Sequence, residues 1–487
     1  MEEQNFLKNL NDKQLEAVTT TEGPVLVLAG AGSGKTTVLV NRIAYIIAKH
    51  KAAPKNIIAI TFTNKAANEM KERIINAVGE AASEMWISTF HSACVRILRS
   101  NIDLLGYKRD FVIYDTADTK TVVKECLKEL ELDEKVYEPK SVLSAIGRAK
   151  DNLQTPEIFE SMNKGDYYLS VVSEVYRLYQ KKLKKNNAVD FDDIVFLAVK
   201  ILMENPDVLG YYHKKFKYIL VDEYQDTNTV QYLLVNLLAQ KSRNVCVVGD
   251  DDQSIYKFRG ANIQNILGFE DDFQDAVTIK LEQNYRSTKN ILNAANAMIA
   301  NNKGRKGKEL WTDNDHGNKI MLYTALSEHN EGNYIAEEIE KLVSGGAKYS
   351  DIAILYRTNA QSRVIEETFL RSAVPYRVLA GMRFYDRKEI KDLIAYLRVI
   401  YNPLDDVSIR RVINEPKRGI GNTTIEKALG LAGQNNLTLF DVLKKAYDYP
   451  QLLRASSKIE DFIKIFSRST STISPQFLFL LITRSIS

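Results

Sequence analysis

Three short stretches carry residue types that can work on a phosphate. Residues 29–37, "AGAGSGKTT", set Gly30, Gly32 and Gly34 ahead of Lys35, Thr36 and Thr37. Glycines at that spacing let the backbone curl so that its N–H groups face anionic oxygens at a helix N-terminus, with Ala31 and Ser33 completing the cradle. Ala29 stands where such loops often begin with glycine. Lys35 would reach the terminal phosphates of ATP, and the Thr36 hydroxyl would bind Mg²⁺. The competing reading is a Gly/Ser turn with an accidental lysine. A strand-like run before the loop and a helical pattern after it argue against that. "ILVDEYQD" (219–226) supplies the acids that phosphate chemistry needs. Asp222 would hold the metal, and Glu223 would orient or deprotonate an attacking water. Alone, such an acidic pair is commonly just solvated; beside the loop at 29–37 it implies ATP hydrolysis.

The third stretch, "GDDDQSIYKFRGA" (249–261), joins two chemistries. Its acids suit a metal or a water, and Gln253 could hydrogen-bond a γ-phosphate or the attacking water. Tyr256, Phe258 and Arg259 suit a nucleic-acid strand, because base stacking on aromatics is worth about 1–3 kcal/mol per base and tolerates any sequence. One rigid turn could report nucleotide state to DNA. The alternative is that the aromatics pack beneath the loop.

These residues need a scaffold, and the apolar runs describe one. "PVLVLAG" (24–30), "IIAITFT" (57–63), "YILVDE" (218–223), "VCVVGD" (245–250), "VTIKLE" (277–282) and "IAILY" (352–356) each read as a buried parallel strand followed by a polar loop. Leu39, Ile43, Ile46 and Ile47 give the helical period after the first of them. From about 111 to 190 the chain is charged, helix-rich and strand-poor, as an inserted helical domain would be. Strands vanish again from about 381, where "KEIKDLIAYLRVIY" (388–401) puts Ile390, Leu393, Ile394, Leu397 and Ile400 on one expected core-facing side.

Composition narrows the class. The 487 residues suffice for several domains, and 45% apolar with 26% charged residues is ordinary for a globular chain. With 66 basic against 62 acidic residues the net charge is +4, so any nucleic-acid site must be local. Cys94, Cys126 and Cys246 form no CxxC pair and read as reduced, buried thiols; five scattered histidines suggest no metal site. The N-terminus lacks signal-peptide order and no run approaches a membrane span, which leads to the expectation of a cytoplasmic protein with no membrane partner.

Taken together, "LNDKQLEAV", "AGAGSGKT", "ITFTNKAANEM" (60–70), "STFHS" (88–92), "VDEYQDTN" (221–228), "GDDDQSIYKFRGA" and "LEQNYRST" (281–288) resemble, in order and spacing, the superfamily 1 DNA helicases of the UvrD, Rep and PcrA type. The likeness extends to about residue 450. It implies an α/β fold: a P-loop NTPase (RecA-like) parallel-sheet domain with a helical insertion, then a partial second RecA-like domain with its own helical insertion. Domain 1A would comprise 1–110 and 190–280, 1B 111–189, the first part of 2A 281–380, partial 2B 381–466, and 467–487 an atypical tail. Gln14 would read the adenine edge, Tyr285 would stack on the base, and Arg286 would reach the γ-phosphate. Phe62, Asn64, His91 and Arg357 would line single-stranded DNA with Tyr256, Phe258 and Arg259; packing at a strand end or turn is the alternative for Phe62 and His91. The basic cluster "KGRKGK" (303–308) could touch phosphate or form a solvated loop.

The implied activity is ATP-dependent 3′ to 5′ unwinding in repair or replication, with ATP and Mg²⁺ as cofactors. Single-stranded DNA, single/double-strand junctions and repair proteins are the implied partners. Three departures stand out. Thr37 replaces a frequent arginine, and Phe258 replaces the usual tryptophan. Two later motifs that complete 2A, "TxHxxKGLE" and an arginine-bearing "LxYVxxTRA", do not occur in these residues. The sequence-level expectation is therefore a truncated chain that binds ATP and DNA but unwinds poorly by itself. The alternatives are an inactive or regulatory ATP- and DNA-binding fragment, or one half of a split helicase.

Overall fold

The structure is a computed structural model and describes residues 6–379 and 387–467. Its first unit contains residues 1–317 and 395–487, and its second residues 318–394. The tail from 468, the last residue of the expected 2A segment (380) and residues 381–386 that open the expected 2B segment lie outside the described residues.

Six parallel strands form the sheet of the first unit: β1 (Val25–Ala29), β2 (Ile57–Thr61), β3 (Trp86–Thr89), β6 (Tyr218–Val221), β7 (Val245–Gly249) and β8 (Val277–Leu281), in the order β3-β2-β6-β7-β1-β8. In β1, β2, β6 and β7 the apolar runs are continuous because both faces are covered, whereas β8, expected to be buried, lies at the sheet edge and leaves Val277 and Lys280 exposed. Successive side chains point to opposite faces. Leu26, Leu28, Ile58, Ile60, Ile219, Val221, Val245 and Val247 therefore enter one core, and Val25, Val27, Ile57, Ala59, Leu220, Cys246, Val248 and Ile279 the other. Each buried Val, Leu or Ile among them stabilises by about 1.5–3 kcal/mol, so the sheet is a stiff platform.

Helices α1 (Asp12–Thr19), α2 (Lys35–Ala48) and α3 (Asn64–Val78) cover the second core, while α4 (Phe90–Asn101) covers the first. A further hydrophobic core forms from α5 (Thr116–Glu129), α6 (Pro139–Asp151), α7 (Pro156–Met162) and α8 (Tyr167–Lys185), between the short parallel strands β4 (Val112–Ile113) and β5 (Ala188–Val189). The chain then returns through α9 (Phe191–Glu204), α10 (Pro206–Lys215) and α11 (Thr229–Ala239). Strand β3 escaped the sequence reading, being four residues long with half-buried Trp86 and Ile87 at its start.

One expectation fails and another holds only in part. Residues 352–356 pair with no strand among the described residues, and Leu355 is 94% exposed. Ile352 and Ile354 pack on the helices Glu328–Ser344 and Ser362–Arg371 through Ile339 and Phe369, yet a strand also needs a neighbouring backbone. In the helix Lys388–Tyr401 the expected Ile390, Leu393, Ile394 and Ile400 are half-buried and Leu397 is 44% exposed, whereas the fully buried apolar residues are Ala395, Tyr396 and Val399. Arg398 explains the rotation, because it donates to Asp118 Oδ2 (2.6 Å) and to the Ile113 carbonyl (2.8 Å) and so turns that side of the helix toward the insertion. All three cysteines are buried and unpaired. Among the described residues no helix is long and apolar enough to cross a membrane.

Candidate functional site

The chemistry gathers at the C-terminal ends of β1, β6 and β7, three strands that are adjacent in the sheet. After β1 the loop turns into α2 at Gly34, whose φ of +88° suits a residue without a Cβ. Ser33 Oγ donates to the Gly30 carbonyl (2.7 Å) and closes the loop on itself. Lys35 is the first residue of α2, with Thr36 half-buried beside it and Thr37 exposed. Gln14 is buried on α1 and donates to the Ser33 carbonyl (2.9 Å), so it braces the loop from behind.

The segment after β8 closes over the same loop. Asn284 Nδ2 donates to the Ala31 carbonyl (2.6 Å), and the Tyr285 N–H donates to the Gly32 carbonyl (3.0 Å). Tyr285 is half-exposed, its hydroxyl held by Asn11 Nδ2 (2.7 Å), and Arg286 is exposed.

At the end of β6, Asp222 is buried and accepts from the Glu223 N–H (3.0 Å). Burial first, then the Glu223 charge, pushes its carboxyl up to about 6. Glu223 adopts a left-handed φ of +50°, a strained setting that turns its carboxylate to within 3.8 Å of Lys35 Nζ. Asp250, at the end of β7, lies 4.0 Å from the same ammonium. Asp226, raised to about 6 by burial and then by Glu223, has a buried Oδ1 without a hydrogen-bond partner.

Gln225 was missed by the sequence reading and joins the two acidic loops. It donates to Glu223 Oε2 (2.9 Å) and accepts from the Asp250 N–H (2.9 Å) while 1% exposed. A Cβ on Gly249 would sit 2.6 Å from Gln225 Oε1, so only glycine admits this bridge. The local signal was its place inside "VDEYQD", read there only for its acids.

Gln253 is exposed, and its amide donates to Asp250 Oδ2 (2.5 Å). Beyond it, Tyr256 and Phe258 are 38% and 69% exposed, with the Arg259 guanidinium 5.2 and 5.5 Å from their rings. The aromatics thus stand out from the loop instead of packing beneath it.

Other expected strand-lining residues vary. Phe62 is half-buried edge-on to Phe90 (5.6 Å), and Asn64 is exposed at the start of α3. His91 stacks on Phe191 (3.8 Å), and burial lowers its pKa to about 4. Phe191, 58% exposed at the start of α9, is a further aromatic that the sequence reading passed over. Arg357 belongs to the second unit, where its N–H donates to Gln361 Oε1 (3.0 Å).

The basic cluster at 303–308 divides: Lys303, Gly304 and Gly307 are exposed, whereas Arg305, Lys306 and Lys308 pair with acids. Lys308 is buried among Asp250, Asp251 and Asp252, and Arg305 grips Asp252 with two bonds of 2.7 Å. The three acids lie close enough together to suit a metal, but they hold this ammonium instead.

A parallel sheet with a phosphate loop after β1 and acids after the neighbouring β6 and β7 defines a P-loop NTPase. The chain belongs to the UvrD/REP helicase family: residues 10–274 match the UvrD/REP helicase N-terminal domain and residues 279–470 the UvrD-like helicase C-terminal domain. It is 55% identical over 438 residues to an ATP-dependent DNA helicase PcrA of Staphylococcus epidermidis, covering 90% of this chain and 60% of that relative. The PcrA helicase of Bacillus subtilis is 53% identical over 467 residues, or 96% of this chain and 63% of its own. That of Staphylococcus aureus is 51% identical over 473 residues, or 94% and 65%. The chain thus spans less than two thirds of the length of these relatives.

Proposed function

We propose that this chain is the motor portion of an ATP-dependent 3′ to 5′ DNA helicase, hydrolysing ATP in response to single-stranded DNA. The observation that carries the reading is the continuity of one loop: Asp250, within reach of Lys35, leads through Gln253 to the exposed Tyr256, Phe258 and Arg259. ATP would sit on residues 29–37, with Lys35 and Arg286 on its terminal phosphates, Tyr285 against the base and Gln14 near the adenine edge. Thr36 and Asp222 would hold Mg²⁺. They are hard oxygen donors, and a cation would relieve the burial that raises Asp222. When bound, the ion would offset phosphate charge; Glu223 would orient the attacking water, and Gln253 would sense the γ-phosphate. Single-stranded DNA and its junctions with duplex would run past Phe62, Asn64, His91, Tyr256, Phe258, Arg259 and Arg357. We assign domains 1A, 1B, 2A and 2B with the boundaries given above.

A second reading is a nucleotide-dependent DNA-binding fragment with slow turnover. It draws on the second unit, whose apolar Met321, Leu322 and Leu355 are 79%, 91% and 94% exposed. Steady-state ATP hydrolysis with and without single-stranded DNA, beside a Lys35→Ala control, separates the two. Strong stimulation that vanishes in the control supports the motor; control-level turnover with retained ATP binding supports the fragment. Gln253→Ala should reduce stimulated turnover more than DNA affinity, and equal losses would count against coupling.

A further inference from the structure

Resting on that reading, we propose that Lys308 is a positioning residue for ATP turnover, holding Asp250 so that Gln253 is aimed at the nucleotide. Lys308 lies 58 residues along the chain from Asp250, in the segment that matches the C-terminal family domain, while the acids belong to the N-terminal one. Its ammonium is 2.7 Å from Asp250 Oδ1, 2.8 Å from Asp252 Oδ2, and also bonded to Asp251 Oδ1. Both Lys308 and Asp250 have side chains only 2% exposed, so water screens little of this attraction.

The two oxygens of Asp250 divide the work. Oδ1 faces Lys308, and Oδ2 accepts from Gln253 Nε2 and lies 4.0 Å from Lys35. Three carboxylates, Asp250 to Asp252, therefore face three cations: Lys308, Arg305 and Lys35. Lys35 is the cation that a phosphate would draw away. Lys308 then remains as the cation that fixes Asp250 Oδ1 and leaves its Oδ2 turned to Gln253. The surrounding loop is built to hold the ammonium there: Arg305 donates to the Lys308 carbonyl (2.8 Å), the Lys306 N–H donates to Asp251 Oδ2 (2.8 Å), and Lys280 donates to the Gly307 carbonyl (2.6 Å). Burial opposes the Lys308 charge, yet Asp250 and its neighbours raise its pKa overall.

The test compares wild type, K308M, K308R and K308M/D251N. The double variant guards against misfolding, because it removes one buried carboxylate together with the lysine. ATP hydrolysis with an oligo-dT strand should fall about tenfold or more in kcat for K308M and K308M/D251N, while KM for ATP and oligo-dT affinity stay within about twofold. K308R should recover most of kcat. Hydrogen exchange of the 249–260 peptide should quicken in both methionine variants, and that of the 35–48 helix should not. Wild-type kcat in a folded K308M/D251N chain, or unchanged exchange at 249–260, overturns the inference. Parallel losses in kcat, KM and DNA affinity would also overturn it, in favour of a general structural role. If wild type itself shows no DNA stimulation, the motor reading fails, and the exchange comparison still decides whether Lys308 positions the loop.

Discussion

Strand β7 and residues 352–356 are both five-residue apolar segments, one in each unit, and they reach opposite ends. Val245 to Val248 are at most 1% exposed, paired with β6 on one side and β1 on the other. Residues 352–356 alternate between half-buried and exposed, with one apolar side on helices and no ladder on either edge among the described residues. The difference teaches that an apolar run secures burial only when neighbouring backbones take up its N–H and C=O groups. It also places the chemistry, because the catalytic candidates after β1, β6 and β7 inherit their precision from strands locked on both sides. Apolar side chains line a cavity of about 650 Å³ in the second unit, including Ile352, Ile354, Phe369 and Val374, and that unit offers no such locked strand end among the described residues.

The contrast can be attacked first where it is strongest. Glu223→Gln keeps shape and removes the charge 3.8 Å from Lys35, and should lower DNA-stimulated kcat by about 10²- to 10⁴-fold with ATP binding retained. A fall of less than fivefold in steady-state assays would remove Glu223 from the chemistry. Next, Leu220→Ala in the central strand β6 should cost about 2–5 kcal/mol by denaturant unfolding, whereas Leu355→Ala should stay within about 0.5 kcal/mol. Equal costs would mean that residues 352–356 are as well packed as β6.

Smaller effects probe the edge of the site. Phe258→Ala should weaken binding of a fluorescent oligo-dT by about 1–3 kcal/mol without altering ATP affinity; unchanged DNA affinity would end its stacking role. The smallest concerns His91, whose pKa burial lowers from 6.5 to about 4. In that window the unfolded chain takes up a proton that the folded one refuses. This contribution to stability is therefore full above 6.5 and shrinks as pH falls toward 4. His91→Phe should flatten the pH dependence of the unfolding midpoint between those values, and an unchanged slope would show that His91 titrates freely.

Much of this molecule is written locally. The apolar runs that became β1, β2, β6 and β7 are legible because a strand buried on both faces must be apolar throughout, and β8 because its buried Ile279 and Leu281 alternate with polar residues as on an edge strand. The loop at 29–37 and the acids at 222 and 223 are legible because phosphate chemistry needs those residue types at a strand end. Separation along the chain hid the rest. Gln225 reads as one more polar residue until the pairing of β6 with β7 brings Asp250 to it. Lys308 sits in a basic, glycine-containing run that resembles a solvated loop, and only the tertiary fold buries its charge among three aspartates. Residues 352–356 have the composition of a strand, but composition cannot supply the neighbour that a strand must pair with. Periodicity and motif spacing are properties of contiguous residues; charge burial and ladder pairing depend on which distant residues arrive beside them, and that the tertiary structure alone decided.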